Sequence, residues 1–465
     1  MVAKNINRRF FIKSAGLGIA TFSICGCVES KISVKSPTAK PNIVFIMADD
    51  LGYGELGCYG QKEIKTPSID RLAKEGMLFT QCYAGSAVCA PARNVLMTGQ
   101  HTGHTTVRGN TGKGGVVGLG GKKGRVPLKK DDVTVAEVLK KAGYVTGMTG
   151  KWGLGEPGTD GLPNDQGFDE WFGFLNQRNA HNHYPPYIWR DKEKVMLDGN
   201  KDGKETQYTH DMFSEFAIDF IKRHQRSPFF LYIPYCIPHS QYQVPDIGIY
   251  KDKAWTTDEK KYAAMVSRMD SSVGRIMDTL EKAGIGDNTY VFFCSDNGAA
   301  TYWDAFDSCG PLRGRKRDAY EGGIRVPMIV RCPNHVPAAT VSETVWYFAD
   351  IMPTFAAIAR TKAPKNIDGV NILPTLKGKK QDLSKRYLYW EFYEKDGWQA
   401  VRFGDWKGIQ QGHNKGQLRP VELYNLKDDI GETNDLAAKH PELVAKVARI
   451  FKEAHVPSEH FSWKK

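Results

Sequence analysis

Five short runs rich in apolar, β-branched and aromatic residues punctuate this chain, at positions 41–47, 144–148, 229–234, 289–294 and 327–331. Runs of this kind form buried parallel strands. Between them lie helical patterns at 134–142, 211–223 and 257–283, with others at 66–73 and 350–358. Thr66 is placed to cap the 66–73 helix and Pro67 to begin it. Strands alternating with helices predict an α/β fold with a parallel sheet. Such a sheet takes its ligands outside the carboxyl ends of its strands. Four polar clusters fall there: Asp49-Asp50, Gly150-Lys151-Trp152, Pro238-His239 and Ser295-Asp296-Asn297-Gly298.

A fifth cluster follows a short strand expected at 77–83. In Ser86-Ala87-Val88-Cys89-Ala90-Pro91-Ala92-Arg93, a small-residue loop leads into a cysteine and then an apolar helix that Gly99 can stop. Pro91 suits a first helical turn because it lacks an N–H there. Cys89 is therefore expected at a helix N-terminus, where the dipole favours an anionic atom. A lone cysteine is more often a small buried core residue, so the neighbouring clusters must decide its role.

The chain has 465 residues and a formal net charge of +12. Asn7-Arg8-Arg9-Phe10-Phe11-Ile12-Lys13 followed by a mildly apolar run is a twin-arginine pattern, read as a bacterial export signal over 1–27. It ends in Ile24-Cys25-Gly26-Cys27, which resembles a lipoprotein cleavage box with Cys27 acylated; a plain signal peptide is the alternative. The reading is an exported protein, periplasmic or lipid-anchored at the outer membrane or cell surface. Losing residues 1–26 removes Lys4, Arg8, Arg9 and Lys13 and no acids, which leaves +8. That charge suits an anionic partner, but no nucleic-acid motif accompanies it. The other six cysteines are scattered without a paired spacing that would suggest zinc.

Residues 28–40 read as a linker, 41–365 as the catalytic part, and 366–465 as a smaller C-terminal α+β domain. Its antiparallel sheet is expected from runs at 387–392, 399–403 and 422–425, with a helix over 440–453. Two long loops are expected, a Gly- and Lys-rich one at 109–124 and an aperiodic one at 155–208.

Asp49, Asp50, Asp296 and Asn297 offer hard oxygen ligands, which suit Ca²⁺ or Mg²⁺ rather than zinc. Taken alone, either acidic pair could be a cap or a turn. Arg93, Lys151, His239 and Lys316 offer positive charge and protons, though singly such groups are usually surface side chains. A nucleophile, a cation and several donors at one end of a sheet suit an anionic ester.

Together, Cys89-Ala90-Pro91-Ala92-Arg93 with Thr98-Gly99, the four strand-end clusters, and Lys316 ahead of Tyr320-Glu321-Gly322-Gly323 resemble one family. It is the type I, formylglycine-dependent sulfatases of the alkaline phosphatase superfamily, over roughly residues 40–440. The resemblance implies an alkaline-phosphatase-like α/β fold, its sheet mixed, mostly parallel and flanked by helices, and removal of sulfate from an ester. It implies that a maturation enzyme oxidises Cys89 to formylglycine, whose hydrate attacks sulfur and later expels sulfate. Asp49, Asp50, Asp296, Asn297 and residue 89 would hold Ca²⁺, and Arg93 would steady residue 89. Lys151, His239 and Lys316 would hold the sulfate, with His239 a candidate to protonate the leaving group. His104 and Arg108, after the nucleophile helix, are expected substrate contacts.

One departure matters. Many relatives carry a proton-accepting His where Gly153 stands; His181 in Ala180-His181-Asn182-His183, or His104, could replace it. This form resembles a bacterial branch acting on sulfated glycans, galactose-type sugars among them. A phosphonate monoester or phosphodiester hydrolase of the same superfamily and an inactive glycan-binding lipoprotein are the alternatives.

Overall fold

The computed structural model describes residues 40–116 and 124–463. The export signal, all but the last residue of the linker, and positions 117–123 of the first long loop lie outside them. The strands are β1 (Asn42–Ala48), β2 (Met77–Tyr83), β3 (Val145–Lys151), β4 (Glu170–Phe174), β5 (Tyr187–Arg190), β6 (Glu193–Met196), β7 (Phe229–Pro234) and β8 (Thr289–Ser295). They continue with β9 (Arg325–Arg331), β10 (Thr340–Ser342), β11 (Trp346–Tyr347), β12 (Tyr387–Phe392), β13 (Trp398–Phe403), β14 (Trp406–Gln411) and β15 (Glu422–Asn425).

Among the described residues the larger sheet runs β10-β2-β9-β8-β1-β7-β3-β4-β5-β6, with β11 also on β2. Its centre, β8-β1-β7-β3-β4, is parallel. β9 runs antiparallel to both β2 and β8, which makes the sheet mixed. The strand period of two divides the core. Ile43, Phe45 and Met47 pack toward the helices Cys89–Thr98, Val135–Lys141 and Ile351–Ile358. Val44, Ile46 and Ala48 pack toward Pro67–Lys74, Thr209–His224 and Thr257–Lys282.

The C-terminal sheet is antiparallel in the order β12-β13-β14-β15. The helix Pro441–Ala454 covers one face through Val447, Ile450 and Phe451. Trp390 and Ile409 on the other face join the main core, and Trp390 Nε1 donates to Ala84 O at 2.9 Å.

Three local expectations are corrected. The 155–208 stretch is not a continuous loop, since it holds β4, β5 and β6. The outermost of these, β6, is mostly exposed, so no apolar pattern marks it. The C-terminal sheet has a further strand, β14, obscured by Lys407 and Gly408. Lys407 is buried there against Glu321 and Glu432, both at 2.9 Å. Thr66 does not cap its helix; its Oγ1 accepts from Gly57 N–H at 2.9 Å.

Glu55, in the loop after β1, is fully buried and accepts hydrogen bonds from Gly52 N–H and the Tyr262 hydroxyl. Burial pushes its pKa up to about 7, against the opposing bonds from Ser308, Tyr262 and Gly52. The folded state therefore favours the neutral acid. That stability is fully present below the unfolded pKa, near 4.5, and is lost as pH rises through about 7. Glu55→Gln, neutral at every pH, is expected to flatten the fall in melting temperature across this window. The group accounts for at most roughly 3 kcal/mol. An unchanged slope in the variant would remove Glu55 as its source.

Candidate active site

The carboxyl ends of β8, β1, β7 and β3 lie side by side, and the helix Cys89–Thr98 opens at the same edge. Cys89 is the first residue of that helix, with Val88 extended before it and Gly99 ending it in the left-handed region at φ 70°. The helix is buried throughout, so its N-terminal N–H groups face the site with little screening.

Cys89 Sγ donates to Asp49 Oδ1 at 3.2 Å and lies 3.6 Å from Lys316 Nζ. Its sulfur stands where the oxygen of an oxidised residue 89 would be. Burial, then Asp296 and Asp49, push the thiol pKa up to about 12. A neutral thiol is a weak nucleophile, so the unmodified side chain is unsuited to attack.

Asp50 adopts a left-handed backbone, φ 68°, which Asp tolerates better than most residues. This turn lets its N–H donate to Asp296 Oδ1 at 3.2 Å. Asn297 Nδ2 donates to Asp50 Oδ1 at 2.7 Å, and the buried Asn297 Oδ1 has no partner among the described residues. Lys316 Nζ reaches Asp50 at 2.6 and 2.8 Å, and Lys151 Nζ reaches Asp49 Oδ2 at 2.5 Å. Arg93 donates to Asp296 Oδ2 from Nη2 at 2.8 Å and Nε at 3.1 Å, and from Nη1 to Lys151 O at 2.6 Å.

Burial acts to raise the Asp49 carboxyl, but Lys151, His239, Arg93 and Lys316 together hold it well below the usual range. Asp296 instead rises to about 6, through burial and the repulsion of Asp49. Burial alone would lower both lysines, yet Asp49 raises Lys151 and Asp50 raises Lys316.

Three buried carboxylates thus face three buried cations. An incoming sulfate ester brings a further negative charge that this balanced set does not cover. Three carboxylates and an unpartnered amide oxygen are hard donors, and they fit Ca²⁺ or Mg²⁺. Asp49, Asp50, Cys89 and His239 each offer a ligand atom, and these atoms lie within 4.8 Å of one another.

His239 Nε2 lies 3.2 Å from Asp50 Oδ2, and the His181 ring stacks on His239 with centroids 3.8 Å apart. Burial, then His239 and Lys151, lower His181 to about 2, so it is neutral. Gly153 has φ 81°, and a Cβ there would meet the Gln177 side chain at 2.8 Å. Gln177 therefore fills the space beside position 153, and His181 approaches from another loop.

The structure brings together Asp49, Asp50, Cys89, Arg93, Lys151, His181, His239, Asp296, Asn297 and Lys316. It does not bring His104 or Arg108 to them. His104 Nδ1 pairs with Asp368 at 2.9 Å outside the cleft. Arg108 is buried, donating to Glu391 Oε1 at 2.8 Å and Val456 O at 2.7 Å, and so ties the C-terminal sheet and segment to the loop after the nucleophile helix. Neither lines the cleft above Cys89.

Above Cys89 opens a cleft of about 1120 Å³ whose walls include Asn110, Arg125, Gln177, Arg178, Tyr393 and His460. Sequence reasoning missed all six, because they come from aperiodic loops and the C-terminal segment. The basic residues of the 109–124 loop were the one available signal.

A profile of the sulfatase family matches residues 41–361, and one described as "N-sulphoglucosamine sulphohydrolase, C-terminal" matches 314–455. Human N-acetylgalactosamine-6-sulfatase is 32% identical, covering 90% of this chain and 87% of its own. The crystal structure of Ps i-CgsB in complex with k-i-k-neocarrahexaose is 31% identical with a TM-score of 0.78, covering 89% and 92%. The phosphonate monoester hydrolase of Agrobacterium radiobacter, at 19% identity and TM-score 0.61 over 89% and 95%, shares the fold.

Proposed function

The chain belongs to the sulfatase family of sulfuric ester hydrolases, and from that premise we propose that it desulfates a carbohydrate using residue 89, oxidised to formylglycine, and Ca²⁺. The observation that carries this reading is Cys89 buried at a helix N-terminus beside Asp49 and Lys316, on the floor of a basic cleft. Formylglycine would supply, as its hydrate, an oxygen nucleophile, and Ca²⁺ held by Asp49, Asp50, Asp296, Asn297 and residue 89 would add positive charge at the sulfate.

The remaining work falls to the chain's own groups. Lys151 and Lys316, kept protonated by Asp49 and Asp50, bind the sulfate oxygens. Arg93 fixes the start of the nucleophile helix against Asp296. His239, its Nδ1 proton held by Ser240 O, gives the Nε2 proton of its imidazolium form to the departing sugar oxygen; against the cost of burial, Asp50 and Asp49 favour that form. His181, neutral and stacked on His239, accepts a proton in the half-reaction that releases sulfate, once the negative charge of the bound sulfate offsets the burial and the repulsion of His239 and Lys151 that lower it in the free site. The N-acetylgalactosamine-6-sulfatase relative supports a galactose-type sugar. The twin-arginine run supports export, with Cys27 as a lipid anchor; recovery solely from the cytoplasm would reject it. Among the described residues no helix is long and apolar enough to cross a membrane.

Assaying the matured protein against position-defined sulfated saccharides and phosphate diesters in parallel tests the function. Faster sulfate release supports it, and faster diester cleavage overturns it in favour of the phosphodiesterase. Glycan binding without release by protein bearing formylglycine would indicate a binding lipoprotein.

His181→Ala is expected to lower kcat by about 10²–10⁴. One equivalent of desulfated sugar should appear in a burst before slow sulfate release. A loss without the burst would assign the proton to another group.

A further inference from the structure

The cleft carries more positive charge than one sulfate ester requires. Arg93, Lys151 and Lys316 are matched by the three aspartates at its floor. Farther out, Lys113, Arg125, Arg178, Arg317 and Lys395 line the same space, with Glu394 beside them. Glu394 accepts from Arg317 Nε at 3.3 Å, and Lys395 faces Asp318 at 3.7 Å.

Arg125 differs from these. It is half-buried, and its Nη1 donates to Asn110 O and, at 3.1 Å, to Gln177 Oε1. Both acceptors are neutral, and among the described residues no carboxylate forms an ion pair with Arg125. Burial lowers its pKa, and the attraction of Glu156 and Glu394, neither of them in ion-pair contact, offsets only part of that cost. A bound anion would relieve that cost.

The wall around Arg125 is built rather than loose. Arg125 and Val116 exchange backbone hydrogen bonds at 2.8 and 2.9 Å, and Gly112 N–H donates to Gly124 O at 3.2 Å. The same loop is pinned to the C-terminal segment. Lys113 N–H donates to His460 O at 2.9 Å, and Lys113 O lies 2.9 Å from His460 Nδ1. Lys113 and Arg125 therefore sit on one braced wall, and the Lys113 side chain is exposed beside the cleft. The cleft, about 1120 Å³, exceeds the ~300–1,000 Å³ of common small-ligand sites, which leaves room for more than the reacting sugar.

We propose that Arg125 and Lys113 form a second anion subsite. It binds a negatively charged substituent, a sulfate or a carboxylate, on the glycan at a position other than the sulfate being removed. The preferred substrate then carries at least two negative groups. This rests on the sulfatase reading of the site.

The test compares matured enzyme on matched oligosaccharides bearing one sulfate, two sulfates, or one sulfate and one uronate. The wild type should favour a doubly charged glycan by about tenfold or more in kcat/KM, mainly through KM. Added salt should narrow the gap. Arg125→Gln should cut the ratio of doubly to singly charged efficiency by about tenfold, and Arg125→Lys should restore part of it. Lys113→Gln, on an exposed side chain that poses little risk to folding, should cut the ratio less. Preference for the second sulfate alone, or for the uronate as well, identifies the group and supports the subsite either way. No wild-type preference, or an equal loss on both substrates in Arg125→Gln, overturns it.

Calorimetry with Cys89→Ala protein separates the two readings. Binding of the doubly charged glycan that depends on Arg125, with no glycan desulfated by the wild type, would sink the sulfatase reading and keep the subsite. Sulfate release without charge preference would do the reverse.

Discussion

Cys89→Ala is expected to lower sulfate release by at least about four orders of magnitude and to leave the protein folded. The side chain is 2% exposed at the first residue of a helix, a position where alanine fits without strain. Its one close donor contact is to Asp49, which keeps Lys151 and Arg93 as partners. The change therefore removes the reactive atom and one of the five proposed Ca²⁺ ligands, and leaves the packing intact. Circular dichroism should match the wild type, and so should the melting temperature at saturating Ca²⁺. Mass spectrometry of the wild-type peptide containing residue 89 should show an aldehyde. An active protein with an intact thiol would refute the oxygen nucleophile, and substantial activity in Cys89→Ala would move the chemistry elsewhere.

The second large effect concerns the divalent cation. Stripping the protein with a chelator should abolish activity and lower its melting temperature by several degrees, and Ca²⁺ should restore both. Binding to the folded state alone at a hundredfold excess over Kd is worth about 2.7 kcal/mol. Asp50→Asn should erase the Ca²⁺-dependent shift. Asp50 is 2% exposed and meets Lys316, Asn297 and His239 at once, so losing its charge disturbs ligand and counter-ion together. The comparison that matters is the shift on adding Ca²⁺, since the substitution also changes stability without metal. A wild type indifferent to chelation, or an equal shift in Asp50→Asn, would reject oxygen ligation of a cation here. A larger response to Mg²⁺ than to Ca²⁺ would reassign the ion.

Parts of the fold that rest on continuous apolar runs were legible from the chain. The predicted strands 41–47, 229–234 and 289–294 reappear as β1, β7 and β8, because a strand buried on both faces has to be apolar along its length. Edge elements were not. β6 is largely exposed, and β14 hides a lysine whose burial depends on Glu321 and Glu432, distant in sequence. Local pattern cannot anticipate a charge that is neutralised by tertiary contact.

The same division runs through the site. Cys89, Asp49-Asp50, Lys151, His239 and Asp296-Asn297 could be read because each follows or begins a regular element, and the sheet's topology gathers those ends at one edge. The fate of His104 and Arg108 could not be read. Both lie close in sequence to the nucleophile helix, but Asp368 holds the first outside the cleft and Glu391 buries the second. The neighbour of Gly153 was equally hidden, since Gln177 meets it from a stretch without periodicity. Sequence by itself determined the buried central strands and which charged and polar groups stand at their ends, because burial and strand termini leave local signatures. Only the tertiary structure decided which side chains wall the cleft, because loops far apart in the chain converge there and their positions follow from packing.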